Sequence, residues 1–311
     1  MKQQLSKLPA AAALGELFGD ELAAAQAAVV RNDSESLHDY RVALRRLHVL
    51  IKQLAQPDGP RRTVLRSIKD LMMESNRGRD AQVMLAWLEG ERSCLDEQEQ
   101  IGARQWQRTL GRLQAHRLFE PKHAFSALKS MAPTLDKLSP QDDRVRMPLG
   151  LLAAQCLEQQ ANELGSLMKD DGVADQLHFI RLKAKTVRYL LLPFCDESPG
   201  GLRALQELQR LQTQLGEWHD AVVRQQSLLR LLRKEIVTLL CDAKAKGAVR
   251  RVAERSPALP GLMALARSNT LAQQRLVGLI ERKYLRDGGT GLSNLLQQAI
   301  AELRKAVTAL G

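Results

Sequence analysis

Two segments of this chain match one another closely enough to dictate its architecture. Residues 37–54 read LHDYRVALRRLHVLIKQL, and residues 177–194 read LHFIRLKAKTVRYLLLPF. His38 aligns with His178, Arg41 with Arg181, Arg45 with Lys185 and Leu50 with Leu190, all at an offset of 140 residues. A second match keeps that register: Arg79-Asp80-Ala81-Gln82-Val83 stands against His219-Asp220-Ala221-Val222-Val223. A segment repeated at fixed spacing is a structural unit built twice. The chain therefore reads as one domain over residues 1–311 with internal halves 1–140 and 145–311. The stretch 132–147, containing Pro133 and Pro140, is the expected hinge between them.

Each half reads as helix throughout. Leu, Ala, Gln, Arg and Glu dominate and favour helix, while aromatic residues make up only 4% of the chain and the β-branched runs of a sheet are scarce. Helices are expected near 11–30, 35–54, 61–76, 79–92 and 98–117 in the first copy. The second copy repeats them near 147–168, 175–193, 201–215, 219–240 and 242–255, and two more near 262–285 and 291–309 close the chain. Breakers fall between these at Pro57-Asp58-Gly59-Pro60, Ser198-Pro199-Gly200-Gly201, Pro257 to Pro260 and Asp287-Gly288-Gly289. Short connections favour antiparallel packing. The expected fold is all-α: two pseudo-symmetric antiparallel helical bundles with a basic groove or pore between them.

The matched segments carry a one-sided basic ladder. With His38 at zero on a helical wheel, Arg41, Arg45, His48 and Lys52 fall near 300°, 340°, 280° and 320°, an arc of about 80°. Tyr40, Leu44, Leu47, Leu50, Ile51 and Leu54 fill the arc from about 120° to 240°. His178, Arg181, Lys185 and Arg188 take the same angles as His38, Arg41, Arg45 and His48, with Ile180, Ala184, Val187, Leu190, Leu191 and Phe194 on the apolar side. Lys183, near 140°, falls outside the ladder. Like charges three and four residues apart repel and cost a helix a few tenths of a kcal/mol per pair. A ladder of about 15 Å from position 38 to 48 is long enough to meet several phosphates in a row. Arginine offers bidentate contacts to them, lysine a mobile charge, and histidine a charge that responds to pH. A single such stripe is most often solvated surface; its duplication on the same edge of two helices points to a polyanion.

Whole-chain properties agree with that reading. Lys and Arg number 46 against 35 Asp and Glu, a formal charge of +11 that favours acidic partners. The cysteines Cys94, Cys156, Cys195 and Cys241 are scattered, with no metal-ligand spacing, and read as reduced thiols. No signal-peptide pattern and no apolar stretch of about 18 residues is present, so a cytoplasmic protein without a membrane partner is expected.

These residues resemble the conserved histidine α-helical domain family, CHAD. His38-x-x-Arg41-x-x-x-Arg45-Arg46 is similar to the first motif of that family, and His178-x-x-Arg181-x-x-x-Lys185-x-x-Arg188-Tyr189 to its second. Arg79-Asp80 and Leu215-Gly216-Glu217-Trp218-His219-Asp220 resemble the segments that follow each. His48 stands where the second copy has Arg188, and Leu182 where the family often has Lys. The resemblance implies paired helical bundles, binding of inorganic polyphosphate and, in bacteria, recruitment to polyphosphate granules. On that basis the expected polyphosphate-binding residues are His38, Arg41, Arg45, Arg46, His48, Lys52, Arg79, His178, Arg181, Lys185, Arg188 and His219. Neither a cofactor nor a metal is expected. The triphosphate-hydrolase (CYTH) domain that often accompanies such domains begins with an ExExK strand, and Glu89-Gly90-Glu91-Arg92-Ser93 does not supply one. A stand-alone CHAD protein is the expectation.

Further basic positions stand beside the ladders. Arg62, Arg66 and Lys69, Arg77 with Arg79, the group Lys244, Lys246, Arg250, Arg251 and Arg255, and its counterpart Arg104, Arg108 and Arg112 each read equally well as groove or as outer surface. His116 and His123 read as ordinary surface histidines. Asp80 and Asp220 are too few for a two-metal phosphohydrolase, which needs several convergent carboxylates; a cap or an orienting partner for a ladder arginine suits them better. Hydrolysis of polyphosphate or a triphosphate is thus the weaker alternative, and no catalytic residue is assigned. RNA binding is a third reading, set back by the absence of aromatics interleaved in the ladders for base stacking.

Overall fold

The computed structural model describes residues 5–31, 35–76, 79–115, 120–169, 173–197, 199–246 and 256–308. Among them lie eleven α-helices and no strand: α1 (Ala10–Arg31), α2 (Ser36–Leu54), α3 (Gly59–Asn76), α4 (Arg79–Glu91), α5 (Glu99–Ala115), α6 (Pro121–Leu135), α7 (Leu149–Lys169), α8 (Val173–Leu191), α9 (Pro199–Lys246), α10 (Leu259–Ile280) and α11 (Thr290–Thr308). The all-α expectation holds.

The chain forms two compact units, and neither corresponds to one sequence half. The first comprises residues 1–75, 120–213 and 280–311; the second comprises 76–119 and 214–279. Each unit draws on both matched copies, so the halves 1–140 and 145–311 describe the sequence pattern and not the compact bodies.

In the first unit α1 packs on α2 and α6, α7 packs on α8 and α11, and α2 touches α8. Two ion pairs order the α1–α2 pair: Arg31 meets Asp39 at 2.5 Å and Glu21 meets Arg46 at 3.8 Å. The partners advance along one helix as they retreat along the other, so the two run antiparallel. Arg304–Glu158 at 2.7 Å and Gln297–Asn162 at 3.5 Å step the same way between α11 and α7. The entries to α1 and α7 are pinned together by Ala10 N–H on the Met147 carbonyl and Leu149 N–H on the Leu8 carbonyl, both at 2.8 Å. The core contains Phe18, Tyr40, Leu44, Leu47, Leu50, Ile51 and Phe194.

Three elements depart from the sequence reading. Helix α6 was not expected, because Pro133 reads as a breaker. Pro121 starts this helix where a missing N–H costs nothing, and Ala124, Leu128, Met131 and Leu135 bury one face. That burial carries the helix past Pro133, so the connection to α7 begins after Leu135. Helix α9 is the second departure. It runs unbroken for 48 residues where breaks were expected near 215–219 and 240–242. Gly216 is its only interior weak point, at about 1 kcal/mol relative to alanine. Buried Leu208, Leu211, Leu215, Trp218, Ala221 and Leu228 continue one face through it. The third departure closes α10, which runs into a single π-helical turn at Glu281–Leu285. The expected break at Asp287-Gly288-Gly289 follows, with φ of 60° and 71° at the two glycines.

The second unit is held by apolar packing around Trp106 and by a buried polar network. Leu88, Ala103, Leu110, Leu228, Leu262 and Leu265 surround Trp106, whose indole N–H reaches Ser227 Oγ at 3.2 Å. Two glycines let α5 and α10 cross at backbone contact. A Cβ on Gly261 would lie 1.8 Å from the Glu99 carbonyl oxygen, and one on Gly102 would lie 2.3 Å from that of Ala258. Arg224, 8% exposed, donates through Nε to Asn269 Oδ1 at 3.0 Å and lies 4.8 Å from the centre of the Trp87 ring. Asn269 donates to the Ala221 carbonyl and to Gln225 Oε1, each at 2.8 Å. These two acceptors occupy its amide N–H₂ group and turn its oxygen toward Arg224.

Candidate anion-binding site

The ladder positions follow from which faces of α2 and α8 are buried. Tyr40, Leu44, Leu47, Leu50, Ile51 and Leu54 are buried on α2, and Ile180, Ala184, Val187, Leu190 and Leu191 on α8, as the wheel requires. Beside those stripes Arg41 is buried, Arg45, Arg46 and His48 are half-buried, and His38 and Lys52 are exposed. On α8 Arg181, Lys185 and Arg188 are half-buried and His178 is exposed. A long basic side chain at such an edge lays its stem along apolar surface and leaves its charged end at the boundary. Since α2 and α8 touch, both ladders belong to the first unit.

The charge around the α2 ladder is concentrated at its C-terminal half. Burial, and then the charges of Lys52, Lys69 and Arg61, hold the His48 imidazole below its ordinary pKa. Arg61, at the start of α3, is brought there by the tight turn after α2. Asp58 Oδ1 accepts the Arg61 backbone N–H at 2.8 Å, and the Arg61 guanidinium donates to the Lys52 carbonyl at the end of α2. Arg61 Nε, Arg46 Nε and Arg188 Nε are buried without a hydrogen-bond partner among the described residues. The Arg188 guanidinium lies 4.8 Å from the centre of the Tyr189 ring.

Not every basic residue near the ladders joins them. Lys183 turns to α7, where it binds Glu163 and donates to Gln160 Oε1 at 2.9 Å, which accords with its position on the wheel. Arg46 faces α1, where it opposes the upward pull of burial on the Glu21 carboxyl. His219 is half-buried in α9 within the second unit, and Arg79 opens α4 with its side chain outside the described residues, as is that of Asp80. Asp220 caps no helix. It lies in the middle of α9, and its charge acts on Arg224 one turn further along. His123 pairs with Glu74 at 3.3 Å on the surface, and His116 lies outside the described residues. So do the side chains of Lys244, Lys246, Arg250, Arg251 and Arg255.

Sequence reasoning passed over Arg61 and the Arg224–Asn269 network. Arg61 was findable, since the Pro-Asp-Gly-Pro turn returns the chain immediately onto the end of α2. The network was not, because its partners are 45 residues apart in the sequence. Phe179 was also overlooked: it is exposed, with its ring edge-on to His178 at 5.8 Å between centres. Among the described residues no cluster of metal-ligating side chains occurs, and no helix is long and apolar enough to cross a membrane.

Comparison with known proteins agrees with the ladder motifs. A family model of the CHAD domain matches residues 12–229, and the chain belongs to that family. Among solved structures it is similar to the crystal structure of the CHAD domain from the plant Ricinus communis. The TM-score is 0.54 at 20% identity, over 96% of this chain and 93% of that one. At that identity the likeness concerns the fold. A search of curated proteins finds no match.

Proposed function

We propose that this protein binds inorganic polyphosphate along the ladders of α2 and α8. The observation that carries the reading is the pair of one-sided ladders on touching helices, with Arg41 buried and Arg45, His48, Arg181, Lys185 and Arg188 half-buried beside the apolar stripes. Crowding positive charge at a partly desolvated edge costs stability in the free protein, and a phosphate chain laid along it removes that cost. Family membership supports the same ligand class. Granule association and a cytoplasmic location belong to this proposal.

Binding is expected to be salt-sensitive, because each phosphate neutralised releases counterions. The test is titration with polyphosphate of the native protein and of Arg41→Ala combined with Arg181→Ala. Unchanged affinity in the double variant would remove the ladders from the site. Competition with single-stranded RNA at physiological salt separates polyphosphate from nucleic acid, and exposed Phe179 makes that comparison necessary. Metal-dependent phosphate release from purified protein would favour the hydrolase reading instead. Imaging a tagged protein against granules tests the location.

A further inference from the structure

Helix α3 carries a basic face of its own. With Arg62 at zero on the helical wheel, Lys69 falls near 340° and Arg66 near 40°, an arc of about 60°. All three are exposed. Their side chains make no hydrogen bond or ion pair among the described residues. The buried residues Val64, Ile68, Leu71 and Ser75 take the arc from about 180° to 240°, and Arg61 sits at its edge near 260°.

A hydrogen bond and a charge interaction set the direction of this face relative to the α2 ladder. Arg61, near the start of α3, is bonded to the carbonyl of Lys52 in the last turn of α2. Lys69, two turns later, acts on His48, one turn earlier in α2. Advancing along α3 therefore means retreating along α2, and the basic face runs back beside the ladder instead of extending it. Lys69 on this face and Arg61 at its edge both act on His48. Arg61 is held in place through its bond to Lys52, while its buried Nε donor has no partner among the described residues.

Resting on the polyphosphate reading, we propose that α3 is a second rail of the same site: Arg61 and Lys69 grip the phosphate chain beside His48 and Lys52, and Arg62 and Arg66 carry the contact outward along α3. The ligand class is a linear polyanion with closely spaced negative groups. One rail meets one side of such a chain; two rails meet both sides and leave fewer phosphates facing solvent. At the 140-residue offset Arg61, Arg62, Arg66 and Lys69 stand against Gly201, Leu202, Gln206 and Gln209, so the rail is not repeated position for position after α8.

The decisive measurement is the salt dependence of long-chain polyphosphate binding for four proteins: native, Arg66→Gln with Lys69→Gln, Arg41→Ala with Arg181→Ala, and Lys122→Gln with Lys129→Gln. The last pair removes two exposed lysines from α6 and controls for net charge. The α3 variant is expected to bind about tenfold more weakly and to lose roughly one unit of the log–log salt slope per cation removed, with the α6 variant near native. If the α3 variant keeps native affinity and slope while the ladder variant loses binding, the second rail is wrong and the polyphosphate reading stands. Equal losses in the α3 and α6 variants would reduce the effect to net charge and also overturn the rail. If the ladder variant binds like the native protein, the reading itself fails and the rail with it. Both substituted α3 side chains are exposed, and an unchanged helical circular-dichroism spectrum checks the fold.

Discussion

Arg224→Met is the substitution whose cost the geometry specifies best. Methionine matches the arginine stem in length but returns neither the Nε–H bond to Asn269 at 3.0 Å nor the cation over Trp87. A hydrogen bond from a charged donor contributes about 1.5–3 kcal/mol, and a cation–aromatic contact about 0.5–2 kcal/mol. Against this, the charge no longer has to be desolvated, a cost visible in the lowered pKa that burial imposes on Arg224 against the pull of Asp220 and Glu91. That relief returns part of the loss, leaving a net destabilisation of about 2 kcal/mol. Asn269 cannot rotate to compensate, since its amide group is held by Ala221 and Gln225. The assay is urea unfolding followed by tryptophan fluorescence. Trp87, Trp106 and Trp218 all lie in the second unit, so the signal reports on the body that holds the network. Asn269→Leu in the Arg224→Met background should recover part of the loss, giving a coupling energy of about 1 kcal/mol or more. A shift below about 0.5 kcal/mol, with additive single and double variants, would show that the buried bond contributes nothing net.

Other perturbations test separate parts of the molecule. Gly261→Ala places a methyl group 1.8 Å from the Glu99 carbonyl, so α5 and α10 must separate. A loss of at least 1–3 kcal/mol in the same fluorescence titration is expected, and an alanine variant of native stability would show that the crossing is loose. His48 has a folded-state pKa below its unfolded value. Below the unfolded value near 6.5 the unfolded chain therefore binds the extra proton first, and stability falls as pH falls toward the depressed folded value. A bound polyanion reverses the preference, so polyphosphate affinity should rise with acidity over that window, by no more than about tenfold per pH unit for one proton. His48→Gln should flatten this part of the pH profile, and an unchanged profile would clear His48 of the effect. Cys94 and Cys241 are exposed while Cys156 and Cys195 are buried, with their thiol pKa values raised by burial. Maleimide should therefore label the first two in the native protein and the second two only after unfolding, as read by mass spectrometry of peptides.

Periodicity is a property of neighbouring residues, and whatever depends on it is legible in the chain itself. The all-helical class, the extent of α2 and α8, the buried sides of both and the edge position of Arg41, Arg45, Arg181 and Lys185 follow from apolar residues spaced to fill one arc of a helix. Lys183 falls outside that arc for the same reason and is found on α7. The ladder motifs likewise sufficed to place the chain in its family. Tertiary structure decided what local pattern leaves open. Pro133 lies inside α6 because a buried face outweighs a weak final turn, and α9 continues through Gly216 because one apolar face spans it. Residues 76–119 and 214–279 join in one body through packing that no local signal encodes. The same holds for the charge environment of the ladder: Arg61 and Lys69 act on His48 only because the chain turns after Leu54 and brings α3 back along α2. Arg224 and Asn269 meet only across two packed helices. The ladder was written in the sequence; the cations surrounding it depend on distances that exist only once the helices have packed.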